Sequence, residues 1–272
     1  MTVHELMVKT NHYLIKGGEL TGAQKAKIAG QLLAARSDGR TYQSFIKGVK
    51  APEYLFGQGQ SNDSRVMYPL FFIPPYNDGK KLQTVIPMSP KTHILAANSY
   101  ELEILRLLCL FAPDAPDVKK MTAKTLARLK TTCFAYQDCH YGECFHSALI
   151  ALRFLAAASD ELEWMKKLIK FFNKYNGETR RHSGTIWYYW LCLSEIPIEA
   201  AEAEIEKNKP QMLLWLNSKS AVMNSENDKT IHPVLYCILR NCLCHLQEYA
   251  YIQNRDPFVS GKDGRLHFNM SR

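Results

Sequence analysis

The stretch ECFHSALIALRFLAAASDELEWMKKLIKFFNKY, residues 143–175, decides the fold class. Its first half, 143–158, is apolar almost all round and belongs in an interior. Its second half, 159–175, puts Leu162, Met165, Ile169 and Phe172 on one stripe and lysines elsewhere, the pattern of a helix with one wet face. Ser159-Asp160 separates the two, so the pair reads as an inner helix turning back into an outer one.

The same alternation runs outward in both directions. ILAANSYELEILRLLCLF (94–111) is mostly apolar and DVKKMTAKTLARLK (117–130) is amphipathic and basic. GTIWYYWLCL (184–193) is apolar all round. PIEAAEAEIEKNKPQMLLWL (197–216) opens on a proline suited to a first helical position and is acidic in its first half. HPVLYCILRNCLCHLQEYAYI (232–252) is again largely apolar, with His232 at its opening. Inner and outer helices alternating at this spacing predict stacked αα-hairpins, closed as an α/α toroid or left open as a short solenoid.

The N-terminal part reads differently. Residues 2–16 and 21–36 predict two short helices broken at Gly17-Gly18, with Thr21 as an N-cap, and 41–48 predicts a third. The segment 66–88 is rich in aromatic residues, β-branched residues and proline. Asn77-Asp78-Gly79 lies between its two apolar runs, which predicts one β-hairpin in this half. The expected organisation is 1–92 for the N-terminal helices and hairpin, 93–255 for the hairpin array and 256–272 for a tail that folds back, all in one compact domain.

Composition sets limits. With 46% hydrophobic residues over 272, the chain has enough apolar material for a sizeable core. No run approaches the ~20 apolar residues of a membrane span. The N-terminal MTVHELMVKTNHYLIKGG has no apolar core of a signal peptide, so a cytoplasmic location is expected. In that setting the eight cysteines are reduced thiols rather than a disulfide framework. Cys109, Cys192 and Cys237 sit in apolar runs as small hydrophobes. The net charge of +8 is diffuse, which does not favour a committed nucleic-acid binder. Lys166, Lys167, Lys170 and Lys174 read as a solvated face. No phosphate-binding loop, dinucleotide fingerprint, H-E-x-x-H or G-x-S-x-G is present.

Chemistry concentrates at CFAYQDCHYGECFH, 133–146. Cys139 and Cys144 have an admissible spacing for zinc, with His140 or His146 as a third ligand and Cys133 or His182 as a fourth. The same stretch offers a nucleophile. Cys144 in the first turn of a helix is placed to be activated, His146 or His182 to act as base and Asp138 to orient it. His93, His140, His232, Arg180 and Arg181 precede or open inner helices, where N–H groups suit an anion. Trp187, in WYYW, offers an aromatic wall. Cys242 and Cys244 read as core cysteines; His245 could share the face of Cys242, but two groups do not make a zinc site. The functional expectation is a small-molecule- or peptide-binding protein, with enzymatic activity open, whose Cys/His site lies at the N-terminal rim of the inner helices. The competing expectation is a non-catalytic helical-repeat module that binds protein or nucleic acid.

Overall fold

The computed structural model describes residues 1–37, 69–74, 82–86, 93–137, 139, 143–179, 183–217 and 226–268. The protein is mainly helical. Among the described residues the α-helices are α1 (Val3–Ile15), α2 (Gly22–Ala34), α3 (His93–Phe111), α4 (Pro116–Leu129), α5 (Cys144–Ala158), α6 (Leu162–Thr179), α7 (Ser183–Leu193), α8 (Ile198–Asn217) and α9 (Glu226–Leu243). A 3₁₀-helix (Gln247–Ile252) and strands β1 (Pro257–Val259) and β2 (Leu266–Phe268) follow. No helix among the described residues is long and apolar enough to cross a membrane.

Contacts divide the chain into two compact units. One comprises Met1–Val8, Leu20–Thr84 and Ser89–Tyr175, the other Lys9–Glu19, Val85–Met88 and Asn176–Arg272.

In the first unit, α2 starts where its sequence dictates. The Thr21 hydroxyl accepts from Gln24 N–H at 3.2 Å, and the Gln24 side chain accepts from Thr21 N–H at 2.9 Å, a reciprocal cap. Helices α3 and α5 pack against each other, and α2 and α4 also pack on α3. Every residue of α5 from Phe145 to Leu155 is buried. In α6, Trp164, Met165, Leu168, Ile169, Phe171 and Phe172 are buried while Lys167 and Lys170 are exposed, as the one-striped pattern requires.

Apolar reading of α3 conceals an ionic layer. Glu101 is fully buried, and its Oε2 accepts from the backbone N–H groups of Leu70, Phe71 and Phe72 at 2.7, 2.5 and 3.1 Å. Its Oε1 lies 3.3 Å from Arg128 Nη2, and Arg128 Nη1 donates to Asn98 at 2.9 Å. Burial pushes the Glu101 carboxyl up, while Arg128 and the three N–H groups pull it back down. Two residues further on, Glu103 meets Arg153 of α5 at 2.5 Å, with neither side chain more than 1% exposed.

The hairpin expected over 66–88 is described only in part. Residues 69–74 and 82–86 carry no ladder, because Leu70, Phe71 and Phe72 spend their N–H groups on a carboxylate instead. The expected turn at 77–79 and the helix expected at 41–48 lie outside the described residues. The antiparallel ribbon among the described residues is in the tail, where Pro257 pairs with Phe268 and Val259 with Leu266.

In the second unit, α9 packs on α7, α8, the 3₁₀-helix and β1, and α7 packs on α8. Tyr188, Tyr189 and Trp190 of α7 are fully buried. Gly17 breaks the chain after α1 with φ +85°, a conformation glycine takes without strain.

Two boundaries differ from expectation. Helix α9 begins at Glu226, so His232 lies in its second turn instead of opening it, and Pro233 sits inside the helix. A proline there forfeits a helical hydrogen bond at about 3 kcal/mol. The buried run Val234, Tyr236–Leu239, Cys242 and Leu243 offsets that loss. The helix also stops at Leu243, so the NCLCH stretch is a helix end rather than a helix middle.

Candidate metal centre

The turn after α4 is built from local backbone bonds. Thr131 and Thr132 N–H groups return to Arg128 and Leu129 carbonyls, and Tyr136 N–H reaches Thr132 O at 3.1 Å. Phe134 and Ala135 are buried and pin the turn. Trp164 Nε1 donates to Ala135 O at 2.6 Å and Lys167 Nζ to Tyr136 O at 2.5 Å, fastening it to α6. This fixes Cys133 at the start of the turn. Cys144 is fixed separately, as the first residue of α5, with Phe145 stacked on Phe172 at 4.7 Å behind it.

These two supports bring three thiols together. Cys133 Sγ lies 3.7 Å from Cys144 Sγ, and the sulfurs of Cys133, Cys139 and Cys144 all lie within 4.8 Å of one another. All three residues are half-buried free cysteines. The group is a cysteine cluster that can hold a metal ion.

Crowding opposes ionisation in the absence of a cation. The Cys139 thiol, with burial adding to it, pushes Cys133 up to about 11. Cys144 is likewise pushed well above the usual thiol range by Cys133, by Cys139 and by burial. A bound cation reverses this logic, because a coordinating thiol is deprotonated outright. A lone activated thiolate at Cys144 receives no such help. Its helix N-terminus is set against two neighbouring sulfurs and burial.

Of the residues the sequence put forward, Cys133, Cys139 and Cys144 are brought together. His146 is not among them. It lies two positions beyond Cys144 on α5, roughly 200° around the helix, where it is buried with its ring edge-on to Phe145 at 5.7 Å. Asp138, His140, Arg180, Arg181 and His182 lie outside the described residues, as does the side chain of His93. His232 is half-buried within α9. Trp187 packs edge-on against Trp190 and Trp215 at 5.0 and 5.3 Å, so it serves an aromatic core. Cys242 is buried with its thiol on the Trp190 carbonyl at 3.1 Å, as expected of a core cysteine, whereas Cys244 is half-buried, its thiol reaching Asn241 O at 3.4 Å.

Sequence reading missed the surroundings of the 133–139 turn. Lys167, Lys170 and Lys174 line a cleft with Tyr136 and Gln137 instead of merely facing solvent. Their i, i+3, i+7 spacing was the available signal, since it places all three on one stripe of α6.

In comparisons with known proteins, the chain matches no family model, no curated protein and no solved structure.

Proposed function

We propose that this protein binds one zinc ion through Cys133, Cys139 and Cys144, and that the fourth coordination position takes a small-molecule or peptide ligand. The observation that carries the reading is the 3.7 Å between the Cys133 and Cys144 sulfurs. Two thiolates on one tetrahedral zinc, each about 2.3 Å from the metal, stand about 3.8 Å apart. The gap therefore has the span that a shared ion requires, before any ion is added. Soft thiolate donors favour zinc over calcium or magnesium.

Among the described residues three protein ligands come together, and three with one further position is the arrangement of catalytic zinc sites, whereas structural sites are closed by four. That supports a ligand-binding or enzymatic reading over an inert brace. Zinc there would supply Lewis acidity toward a bound oxygen or sulfur. The chain's own contribution is to hold three sulfurs on two separately anchored segments. His140, which the sequence also offered, lies outside the described residues; the three-sulfur set does not need it, and a fourth ligand from it would make the site a closed one. The scaffold we propose is a stack of αα-hairpins, supported by the packing of α3 on α4 and of α7 on α8. The scaffold-only alternative draws on these helices alone and leaves the sulfur cluster without a purpose.

The test is elemental analysis of untagged protein purified without chelator, with a thiol count. One zinc per chain and protection of the three clustered thiols is the expected result. Metal-free protein that also fails to take up zinc, with every thiol reacting alike, contradicts it.

A further inference from the structure

We infer that Cys133 and Cys144 form a reversible oxidation site: a hydroperoxide joins them as a disulfide, and the new bond expels the metal. The expulsion rests on the zinc reading; the disulfide rests on the sulfur geometry alone.

Oxidation selects among thiols by access and by neighbours. Cys109, Cys192, Cys237 and Cys242 are buried. Cys244 is half-buried, but its thiol and that of Cys242 turn to separate backbone carbonyls, those of Asn241 and Trp190. Cys133, Cys139 and Cys144 are half-buried and meet one another, with all three sulfurs within 4.8 Å.

A redox-sensing cysteine works with a second thiol poised to resolve its sulfenic acid. Cys133 Sγ and Cys144 Sγ, 3.7 Å apart, meet that need. Their separation is close to the ~3–3.5 Å of reacting atoms poised for attack. A disulfide needs about 2.05 Å, so the two sulfurs close by about 1.7 Å, shared between two side chains. Both belong to one chain and already touch, so their closure outruns attack by a thiol of another molecule.

On the ion both cysteines are thiolates, the form that attacks a peroxide. One sulfur forms an S–O bond as the O–O bond breaks, and the departing alkoxide or hydroxide takes a proton from water. The second thiolate then attacks the sulfenic sulfur. An S–S bond forms, the S–O bond breaks and hydroxide leaves. The two thiolates lose two electrons in all, and the peroxide O–O bond gains them. Of the three proposed ligands only Cys139 keeps a thiolate, too few to hold zinc. A dithiol reductant returns the electrons by thiol–disulfide exchange and restores the site.

The experiment treats the zinc-loaded chain with hydrogen peroxide. A chromogenic chelator reads released zinc, and peptide mapping after alkylation locates the link. The expected result is a Cys133–Cys144 disulfide, zinc released in step with it, and a loss of zinc affinity of more than about 100-fold that a dithiol reverses. Cys139→Ser should still form the link, and Cys144→Ser should form none. A map that joins either cysteine to any other, or that finds both oxidised singly to sulfinic acid, overturns the inference. Zinc retained on the disulfide form overturns the expulsion. Protein that takes up no zinc refutes the zinc reading alone; the link is still expected on that metal-free chain, and its absence there overturns the disulfide.

Discussion

Cys133 and Cys144 reach each other from different supports: one sulfur hangs from a turn fastened to α6, the other begins α5, and they lie 3.7 Å apart. Neither sulfur's position depends on the other. The approach is a property of the fold, so each replacement is expected to remove one of the proposed ligands without dismantling the rest of the cluster.

Serine at Cys133, Cys139 or Cys144 is accordingly expected to weaken zinc by more than about 100-fold, beyond what loss of an outer-shell partner costs. His146→Ala, whose ring is buried against Phe145, is expected to leave zinc affinity unchanged within about threefold. Competition against a chromogenic chelator measures both. A His146 effect as large as a cysteine effect would move the imidazole into the coordination sphere.

Proton competition gives the pH dependence. Zinc needs thiolates, so its affinity falls as pH falls, with up to three protons released per ion bound. The same competition assay run from pH 8 down to pH 6 reads the slope. A flat profile would count against thiolate ligation.

Metal-free protein should respond in the opposite direction at alkaline pH. Cys133 is raised from the ordinary thiol value of 9.0 to about 11, by Cys139 first, and Cys237 is raised to about 11 by burial. Between these values the unfolded chain has lost protons that the folded chain retains. Stability is therefore fully present below pH 9 and is lost as pH rises toward 11. Denaturant unfolding across that window checks it. Zinc loading should flatten the part of the slope contributed by Cys133, because those thiols are already ionised.

The ionic layer of α3 is expected to carry stability rather than chemistry. Glu101→Ala strands Arg128 and three backbone N–H groups and is expected to cost about 3–5 kcal/mol. Glu101→Gln keeps an acceptor oxygen and should cost less. Equal, small losses in denaturant midpoint for both would show that the Leu70–Phe72 segment does not depend on this carboxylate.

Glu103 and Arg153 provide a second such pair, at 2.5 Å and essentially unexposed. Arg153→Met alone is expected to cost about 3–5 kcal/mol by leaving a buried charge, and Arg153→Met with Glu103→Leu distinctly less. A double-mutant cycle by thermal unfolding reads the coupling, and purely additive losses would contradict it.

The helical architecture was legible because period and polarity act locally. The 143–175 stretch announces a buried helix and a one-faced helix, and Thr21 announces a cap. The cysteines of the centre were also legible, since all three fall within twelve residues of one another in the sequence. What was not legible depends on direction and on distant partners. His146 looks like a ligand in a linear spacing but turns away on the helix. His232 looks like a helix start because Pro233 follows it, yet burial of the next three turns carries the helix back to Glu226. Glu101 sits in an apolar run, and nothing near it in sequence reveals that its partners are Arg128 and the backbone of residues 70–72.

X-ray absorption at the zinc edge of the zinc-loaded chain tests the central claim most directly. The account predicts three sulfur scatterers at about 2.3 Å and one lighter atom in a tetrahedral shell. A shell of nitrogen and oxygen alone, or one unchanged when Cys139 is replaced by serine, would contradict it.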